Sequence, residues 1–259
     1  MNASASGSRL LIEQIDRIDS TNSELLRRDP LLAPGSSATA LWLVAALQTG
    51  GRGRRQRPWA STPDGSLTAS FAREVRNPSQ LGALSLVAGV AIAEALADFG
   101  VDVRLKWPND LHVAGGKAGG ILCEARARGP FTRLVIGCGL NLLRPDPTVD
   151  LGQPVAGLFD GPGVPDRDEL AAGIGHALLA ASDLLQAQGF DGFRPRWEAR
   201  DMLRSRGILI HDYNGVREAV ARGIDVDGAL LIETPARPGE IERVLAEDVS
   251  VRPLSTWPA

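Results

Sequence analysis

The stretch Gly50-Gly51-Arg52-Gly53-Arg54-Arg55-Gln56-Arg57-Pro58-Trp59 is the feature around which the rest of the chain is organised. It places four arginines within six positions and ends in an aromatic ring. Arginine is always charged and its planar fork holds a carboxylate or phosphate through paired hydrogen bonds, while glycine lets the backbone approach a ligand closely. The stretch therefore predicts an anion-binding loop. The alternative is a solvated basic loop or a weak nucleic-acid patch.

The segments on either side of this loop favour the binding hypothesis. The apolar residues 41–47 precede it and predict a buried strand, and residues 66–71 alternate polar and apolar side chains with period two. The loop thus connects two predicted strands, which form a rigid scaffold for a binding loop.

Composition limits the class of protein. The chain has 259 residues, a formal net charge of −3 and a sequence pI of about 5.7, so its surface as a whole should not attract nucleic acid strongly. Cys123 and Cys138 lie in apolar runs, which predicts reduced core thiols. The first residues lack the apolar region of a signal peptide and no apolar run approaches the length of a membrane span, so we expect a cytoplasmic protein without membrane association.

Helical patterns occur in four segments. Thr21 and Glu24 are spaced as a capping box, which predicts a helix from there to about Asp29 and a helix N-terminus that can form a second wall of the site. Apolar spacing predicts a buried helix over residues 79–99, a longer one over 167–188 and a short one over 193–202. Residues 144–165 are rich in proline and glycine and predict a loop or lid.

Strand patterns divide the chain into two parts. Five strands are predicted before residue 145, over residues 40–47, 66–71, 101–107, 117–124 and 131–143. Beyond residue 207 the pattern changes to short strands separated by turn residues, over 208–211, 216–221, 228–232 and 249–251. We therefore expect a catalytic domain over residues 1–204 and a small β domain over 205–259.

Several common site motifs are absent from the sequence. The arginine stretch lacks the third glycine of a dinucleotide fingerprint, and Lys117 lacks the first glycine and the following Ser or Thr of a P-loop. His112, His176 and His211 show no metal-ligand spacing, and no serine-hydrolase elbow occurs. The remaining cations suit a site that binds and polarises phosphates and a carboxylate, as in phosphoryl or nucleotidyl transfer.

Four motifs together resemble one family. They are Asp19-Ser20-Thr21-Asn22, then Gln48 with Gly51-Arg52-Gly53-Arg54-Arg55 and Trp59, then Lys106-Trp107-Pro108-Asn109-Asp110, and then residues 117–124. Their order and spacing are similar to those of the biotin protein ligases, as are residues 136–141 and 222–225, so that the resemblance covers about residues 16–232. It implies an α+β fold in which a mixed or antiparallel sheet packs with helices, as in the class II synthetase and biotin–lipoate ligase folds, followed by a small SH3-like β-barrel.

The resemblance also implies a two-step reaction. Biotin and Mg-ATP give biotinyl-5′-adenylate and pyrophosphate, and a lysine of a biotin carboxyl carrier domain, belonging to an acyl-CoA or pyruvate carboxylase, then takes the biotinyl group. The catalytic residues implied are Lys117, Arg54, Lys106 and Asp110, with Lys117 polarising the biotin carboxyl and Asp110 orienting or deprotonating the incoming lysine. Mg²⁺ is expected with ATP, and no metal ligands are assigned.

The binding residues implied by the resemblance fall into two groups. Those for biotin are Ser20, Thr21, Asn22, Gln48, Gly51, Arg52, Gly53, Arg54, Lys117, Gly120 and Gly139. Those for ATP and the adenylate are Arg52, Arg54, Arg55, Arg57, Trp59, Asn109, Lys117, Asn141 and Arg222. Gln56 departs from the family pattern, which often has glycine at that position.

Three points complete the expectation. Only 19 residues precede Ser20, too few for a winged-helix domain, so the resemblance is to the monofunctional ligases that do not bind DNA. The oligomeric state is left open and includes a homodimer. The alternatives are a lipoate ligase, which shares the fold and the adenylate chemistry, and more remotely a nucleic-acid-binding module that uses the arginine loop.

Overall fold

A computed structural model describes residues 7–76, 78, 80–146, 153–159, 163–213, 215–246 and 249–254. The first part of the chain contains seven strands and the helices that pack on them. The strands are β1 Leu10–Ile18, β2 Ala40–Gln48, β3 Ser66–Val75, β4 Arg104–Lys106, β5 Asp110–Val113, β6 Gly116–Arg128 and β7 Phe131–Asn141. The helices are α1 Thr21–Arg27, α2 Leu84–Ala97, α3 Arg167–Gln188 and α4 Arg194–Glu198.

The seven strands form one mixed sheet in the order β1-β2-β3-β7-β6-β5-β4. The β1–β2 pair is parallel, and every other neighbouring pair is antiparallel. The mixed sheet with packed helices confirms the predicted α+β class. It also brings the two ends of the arginine loop, β2 and β3, beside the glycine-rich strands β6 and β7.

The two faces of this sheet have different roles because side chains alternate along each strand. One face packs against α2 and α3 and contributes Trp42, Phe71 and Ile136 to the large core. The opposite face packs against α1 through a smaller cluster that includes Leu25 and Leu43. The remaining part of this second face carries small and polar side chains, and it forms the floor of the candidate site.

The C-terminal part forms a second, fully antiparallel sheet. Its strands are β8 Gly207–Asp212, β9 Gly215–Ile224, β10 Leu230–Glu233, β11 Glu242–Val244 and β12 Ser250–Pro253, in the order β11-β10-β9-β8-β12. The buried Trp107 indole joins the two parts by donating a 3.0 Å hydrogen bond to the Gly228 carbonyl. The domain boundary near residue 205 remains a prediction.

Several sequence-based predictions of elements need correction. β1, β5 and β11 were not predicted. β1 is a half-buried edge strand next to a Ser-rich segment, and β5 and β11 have only four and three residues, too short for a clear periodic signal. The strand predicted over 101–107 is limited to Arg104–Lys106, and the helix predicted over 193–202 to Arg194–Glu198.

The helix predicted over 79–99 is shorter than expected. A 3-10 turn over Leu81–Ala83 precedes the α-helix, which begins at Leu84, and Ser79 lies outside the described residues. The helix over 167–188 is confirmed. The parts of residues 144–165 that the structure describes contain no helix or named strand, whereas 147–152 and 160–162 lie outside the described residues.

The helix α3 differs from the expectation on membrane spans. Within the described residues, α3 is long and apolar enough to cross a membrane by length and composition, contrary to the expectation that no segment approaches a span. Half of its most apolar window is buried inside the protein, where Leu170, Ile174 and Leu178 pack in the core. This burial is typical of a core helix.

Candidate active site

The arginine loop is a short hairpin that continues β2 and β3. Arg52 pairs with Pro58, the Gly53 amide donates to the Arg57 carbonyl at 2.8 Å, and the Trp59 amide donates to the Gly51 carbonyl at 2.9 Å. A β-carbon on Gly51 would lie 2.7 Å from the Trp59 carbonyl oxygen, so only glycine allows this closure. The predicted strand–loop–strand arrangement is confirmed.

Gln56, which differs from the glycine of the family pattern, lies at the tip of this hairpin. Arg55 and Gln56 have φ angles of 55° and 57°, in the left-handed region that glycine adopts freely. A residue with a side chain costs about 1–2 kcal/mol there. Gln56 therefore occupies a backbone position that favours glycine, the residue that the resemblance leads us to expect there.

The floor of the site consists of glycines that face one another across β6 and β7. Gly120 pairs with Gly139. Gly137 precedes Gly139 by two residues and lies on the same face of β7. A β-carbon on Gly139 would lie 2.4 Å from Cε2 of Trp59, and one on Gly137 would lie 2.1 Å from Oδ1 of Asn22. The absence of side chains thus lets the indole and the amide approach the sheet.

A polar cluster borders this floor on the α1 side. Gln48 Oε1 accepts hydrogen bonds from the Thr21 amide at 2.7 Å and the Thr21 hydroxyl at 3.0 Å. The buried Ser70 hydroxyl lies 2.6 Å from the Thr21 hydroxyl and donates to Asn22 Oδ1 at 2.5 Å. These contacts hold amide and hydroxyl groups in one connected network, which suits recognition of a neutral polar ring.

The start of α1 corrects one detail of the sequence analysis. Ser20, not Thr21, is the N-cap residue, and its hydroxyl accepts from the Ser23 amide at 3.4 Å. Thr21 is free to bond Gln48 because the helix begins at Thr21 itself.

Glu124 connects the arginine loop to the polar cluster. Its two carboxylate oxygens each accept a hydrogen bond from the Arg52 guanidinium at 3.1 Å, and Oε2 also accepts from Asn22 Nδ2 at 2.8 Å. Such a paired contact fixes the plane of the guanidinium. Glu124 therefore orients one residue from each wall of the site.

Asp110 is the centre of a buried charge cluster at the other end of the floor. Its Oδ1 lies 2.6 Å from Lys117 Nζ and its Oδ2 lies 3.0 Å from Lys106 Nζ. Burial tends to raise the pKa of this carboxyl, but the two ammonium groups outweigh that effect and hold the pKa of Asp110 well below its usual range. Asp110 is therefore ionised at neutral pH and carries one negative charge between two positive ones.

His112 lies behind this cluster on β5. The pKa of His112 is lowered to about 4, mainly by burial; the charge of Asp110 opposes the lowering, and the positive charges of Lys106 and Lys117 add to it. Its imidazole is neutral at pH 7. Among the described residues, no group of three or more His, Cys, Asp or Glu side chains is arranged to hold a metal ion.

The thiols match their predicted state. Cys123 and Cys138 are both free, on neighbouring strands β6 and β7, and burial raises the pKa of each to about 12. Cys138 is fully buried and Cys123 partly so.

The remaining predicted ligands lie at several distances from the floor. The Arg54 guanidinium donates to the Ala246 carbonyl of the C-terminal part, and Arg55 and Arg57 are exposed at the tip of the hairpin. Asn109 donates to the Ile121 carbonyl at 2.7 Å. Asn141 lies at the end of β7 and donates to the Lys117 and Ala156 carbonyls at 3.5 and 3.3 Å. Arg222 is in an ion pair with Glu233 in the second sheet.

Three residues of the site were not among the candidates chosen from the sequence. Ser70 lies at the centre of the polar cluster, Gly137 makes room for Asn22, and Glu124 holds Arg52. The small polar side chains at alternate positions of β3, Thr68 and Ser70, were a usable signal, because a strand buried on both faces is normally apolar. Glu124 and Gly137 lie in the motif stretches 117–124 and 136–141, but nothing local distinguished them from their neighbours, since their roles depend on residues far away in the chain.

Comparison with known proteins identifies the family of the chain. Residues 15–141 match the Biotin/lipoate A/B protein ligase family. The chain is 36% identical over 240 residues to the bifunctional ligase/repressor BirA of Escherichia coli, an alignment covering 91% of this chain and 72% of BirA. It is 36% identical over 238 residues to the biotin-acetyl-CoA-carboxylase ligase of Paracoccus denitrificans, covering 85% of this chain and 93% of that ligase.

A solved structure gives the same result for the fold. The biotin protein ligase from Aquifex aeolicus in complex with biotin and ATP superposes with a TM-score of 0.75 and 25% identity, covering 93% of this chain and 98% of the Aquifex chain. The fold is therefore shared with that enzyme, and the chain belongs to the biotin protein ligase family.

Proposed function

We propose that the glycine floor binds biotin, that the arginine hairpin closes over its carboxylate and the ATP phosphates, and that the chain carries out biotinylation of a carrier lysine through biotinyl-5′-adenylate. The class of reaction, ATP-dependent biotinylation of a carboxylase, is that of the family. The roles proposed for individual residues follow from the family resemblance and are supported by the geometry of the site.

The polar cluster is the proposed pocket for the biotin head group. Thr21, Asn22, Gln48 and Ser20 offer amide and hydroxyl groups next to a floor without side chains, as a ureido ring with both donors and acceptors requires. Gly120 and Gly139 would give room to the bicyclic ring and the tail once the Trp59 indole, which lies against Gly139, moves aside. The buried Trp59 Nε1 has no hydrogen-bond partner among the described residues, which supports a ligand acceptor at this place.

The arginine hairpin is the proposed anion clamp. Arg52 is already oriented by Glu124, and Gly51 and Gly53 form the backbone of the hairpin where it faces the floor. Arg52 and Arg54 would neutralise the repulsion between the biotin carboxylate and the ATP phosphates. The carboxylate oxygen then bonds to the α-phosphorus, and the bond to pyrophosphate breaks.

Lys117 is the proposed electrophilic residue. Its ammonium group lies 3.6 Å from the position of a β-carbon on Gly120, so it faces the floor where the biotin tail would end. A cation at that point stabilises the charge that develops on the carboxyl oxygen in both steps of the reaction.

Asp110 is proposed to position Lys117 and Lys106, and not to act as the base for the carrier lysine. A carboxylate whose pKa is held well below its usual range by two cations is a weak proton acceptor. It is, however, a rigid anchor that aims both ammonium groups into the site, because both of its oxygens are occupied.

The adenylate is proposed to lie between the hairpin and the end of β7. Trp59, Asn141 and Asn109 would line this side, with Arg55 and Arg57 near the triphosphate, and Arg222 would contribute from the C-terminal part. Mg²⁺ would enter the site with ATP, as Mg-ATP. In the part of the chain that the structure describes, no group of three or more His, Cys, Asp or Glu side chains is arranged to hold it without the nucleotide.

The proposal rests on one observation: the glycine floor lies between the polar cluster and the cations Arg52, Lys106 and Lys117. Mass detection of biotinyl-5′-adenylate after mixing the protein with biotin and Mg-ATP tests it, with lipoate in place of biotin as the matched control. Adenylate formed from lipoate and not from biotin would reverse the assignment to the lipoate ligases.

Further parts of the proposal concern the cellular context. The carrier is proposed to be the biotin carboxyl carrier domain of an acyl-CoA or pyruvate carboxylase, and the reaction is proposed to take place in the cytoplasm without DNA or membrane. Homodimerisation through β1 is proposed, because β1 is an edge strand of the sheet and can pair with a strand of another copy. Analytical ultracentrifugation with and without biotin and ATP tests it.

A further inference from the structure

Lysine is almost absent from this chain. Of 28 basic residues, only Lys106 and Lys117 are lysines, and all the others are arginines. The two residue types carry the same charge but differ in reactivity, because a guanidinium stays charged in proteins whereas a lysine amine can lose its proton and attack a carbonyl. The exposed cationic side chains of the described residues are therefore of the unreactive type.

Both lysines are enclosed by the same carboxylate. Only 10% of the Lys106 side chain and 19% of the Lys117 side chain are exposed, and each ammonium forms an ion pair with one oxygen of Asp110, itself 11% exposed. To reach an acyl carbon, either amine would first have to leave its contact with Asp110 and its enclosed position. The chemistry of the site therefore makes these two amines poor nucleophiles although they lie beside the reacting carboxyl.

The thiols are protected in a different way. Cys123 and Cys138 lie within the sheet, and burial raises the pKa of each thiol to about 12, so neither is a thiolate at neutral pH. Thiols, the second class of strong nucleophile, are therefore also prevented from attacking an acyl donor.

We propose that the side chains of this protein are refractory to acylation by its own activated intermediate, with Asp110 holding the site's two amines in ion pairs and arginine standing at every other position with a basic side chain. The inference rests on the proposed function, because biotinyl-5′-adenylate is its intermediate. A lysine that reacts must form a C–N bond to the acyl carbon while the C–O bond to phosphate breaks, AMP leaves with that electron pair, and the amine proton passes to solvent. A carrier lysine meets these requirements, whereas Lys106 and Lys117 in their ion pairs do not.

The experiment supplies preformed biotinyl-5′-adenylate to the purified protein and maps biotin to individual residues by mass spectrometry. A lysine-rich bystander protein in the same tube shows that the reagent is active. Using preformed adenylate separates this proposal from the proposed function. A chain that makes no adenylate from biotin and ATP fails the earlier test but still reports on its lysines here.

Two matched variants test whether an exposed lysine near the site becomes biotinylated once it is introduced. Ala60 is exposed next to Trp59, so Ala60→Lys adds an amine near the site and Ala60→Arg adds the same charge without one. We expect labelling of Ala60→Lys at least about tenfold above that of Ala60→Arg, because proximity raises the effective concentration of the acyl donor. Arg237→Lys, at a side chain that is 75% exposed and distant in sequence, should be labelled only by released adenylate.

Asp110→Asn tests the part assigned to the carboxylate, with Asp110→Glu as the conservative variant. A folded Asp110→Asn protein should gain biotin on Lys117 or Lys106, and Asp110→Glu should remain unlabelled. Labelling of either lysine in the unaltered chain overturns the proposal, as does an Ala60→Lys protein labelled no more than Ala60→Arg. A folded Asp110→Asn protein without label on either lysine overturns the role of Asp110.

Discussion

The ammonium nitrogen of Lys117 lies 2.6 Å from a carboxylate oxygen of Asp110, which comes from a different strand of the sheet. The pairing requires β5 and β6 to be neighbours, with Asp110 opposite Gly120. It fixes the direction of Lys117 toward the floor of the site, and it makes Lys117 the first residue whose removal should be tested.

Replacing Lys117 with alanine should reduce biotin-dependent ATP/pyrophosphate exchange by about 10²–10³-fold, because one preorganised donor to a developing charge is lost. Exchange kinetics measure it, and circular dichroism checks that the variant is folded. Arg237→Ala, at an exposed position of the C-terminal part, serves as the control and should keep its activity. Near-normal exchange in Lys117→Ala would remove the residue from the mechanism.

Gly120→Ala should separate ligand space from protein packing. The nearest atoms to the added β-carbon are 3.6 Å away, which is ordinary contact, so the melting temperature should hardly change. The KM for biotin should rise about tenfold or more, because overfilling a packed contact costs about 1–3 kcal/mol. Gly173→Ala, whose β-carbon would also lie 3.6 Å from its nearest neighbour, is the matched control in α3. An unchanged KM for Gly120→Ala would mean that biotin does not lie on this floor.

Glu124→Gln should weaken biotin binding about tenfold, since hydrogen bonds to a charged group contribute about 1.5–3 kcal/mol and the amide keeps only one of the two acceptor oxygens that Arg52 and Asn22 share, without the charge. Isothermal titration calorimetry measures the affinity. Glu242 forms a similar paired contact with Arg217 in the second sheet, and Glu242→Gln should leave biotin affinity unchanged. Equal effects of the two substitutions would contradict a specific role for Glu124.

Arg54→Ala should shorten the residence time of biotin or the adenylate by about tenfold, because a charge-assisted contact to the anion is lost. Stopped-flow fluorescence of Trp59 or radiolabelled ligand release measures the dissociation rate. The hairpin should also gain protection from proteolysis when biotin and ATP are present, since closure around a reactive anhydride excludes water. Unchanged dissociation in Arg54→Ala would argue against the hairpin as a cover.

Asp201 should make stability depend on pH between about 4 and 6. Burial raises its pKa to about 6, because Oδ2 has no hydrogen-bond partner among the described residues and the Leu203 amide only partly offsets the burial. A raised carboxyl pKa gives stability that is complete below the unfolded value of 3.8 and is lost as pH rises through about 6. The loss amounts to about 3 kcal/mol, at 1.36 kcal/mol for each unit.

Urea unfolding at pH 4.5 and 7.5 measures this effect. Asp201→Asn should flatten the dependence and increase the free energy of unfolding at pH 7.5, whereas Asp102→Asn, at an exposed position, should change neither value. The same slope in Asp201→Asn and the unaltered chain would show that another group titrates.

Local patterns predicted the elements with strong periodicity. β2, β3, β6, β7 and α3 were all expected from their apolar spacing, because each carries a continuous or alternating apolar pattern long enough to distinguish helix from strand. The edge strand β1 escaped because none of its side chains is fully buried, and β5 and β11 escaped because four and three residues are too few for a clear periodic signal.

The motifs of the sequence alone determined the family and the residue types of the site, because four short motifs in register are a specific signal even without coordinates. Only the tertiary structure decided which of these groups act together. Asn22 meets Gly137 and Ser70, Arg52 meets Glu124, and two lysines share Asp110, all through strands that are distant in sequence and adjacent in the sheet. Those pairings depend on strand order and register, which no local pattern encodes.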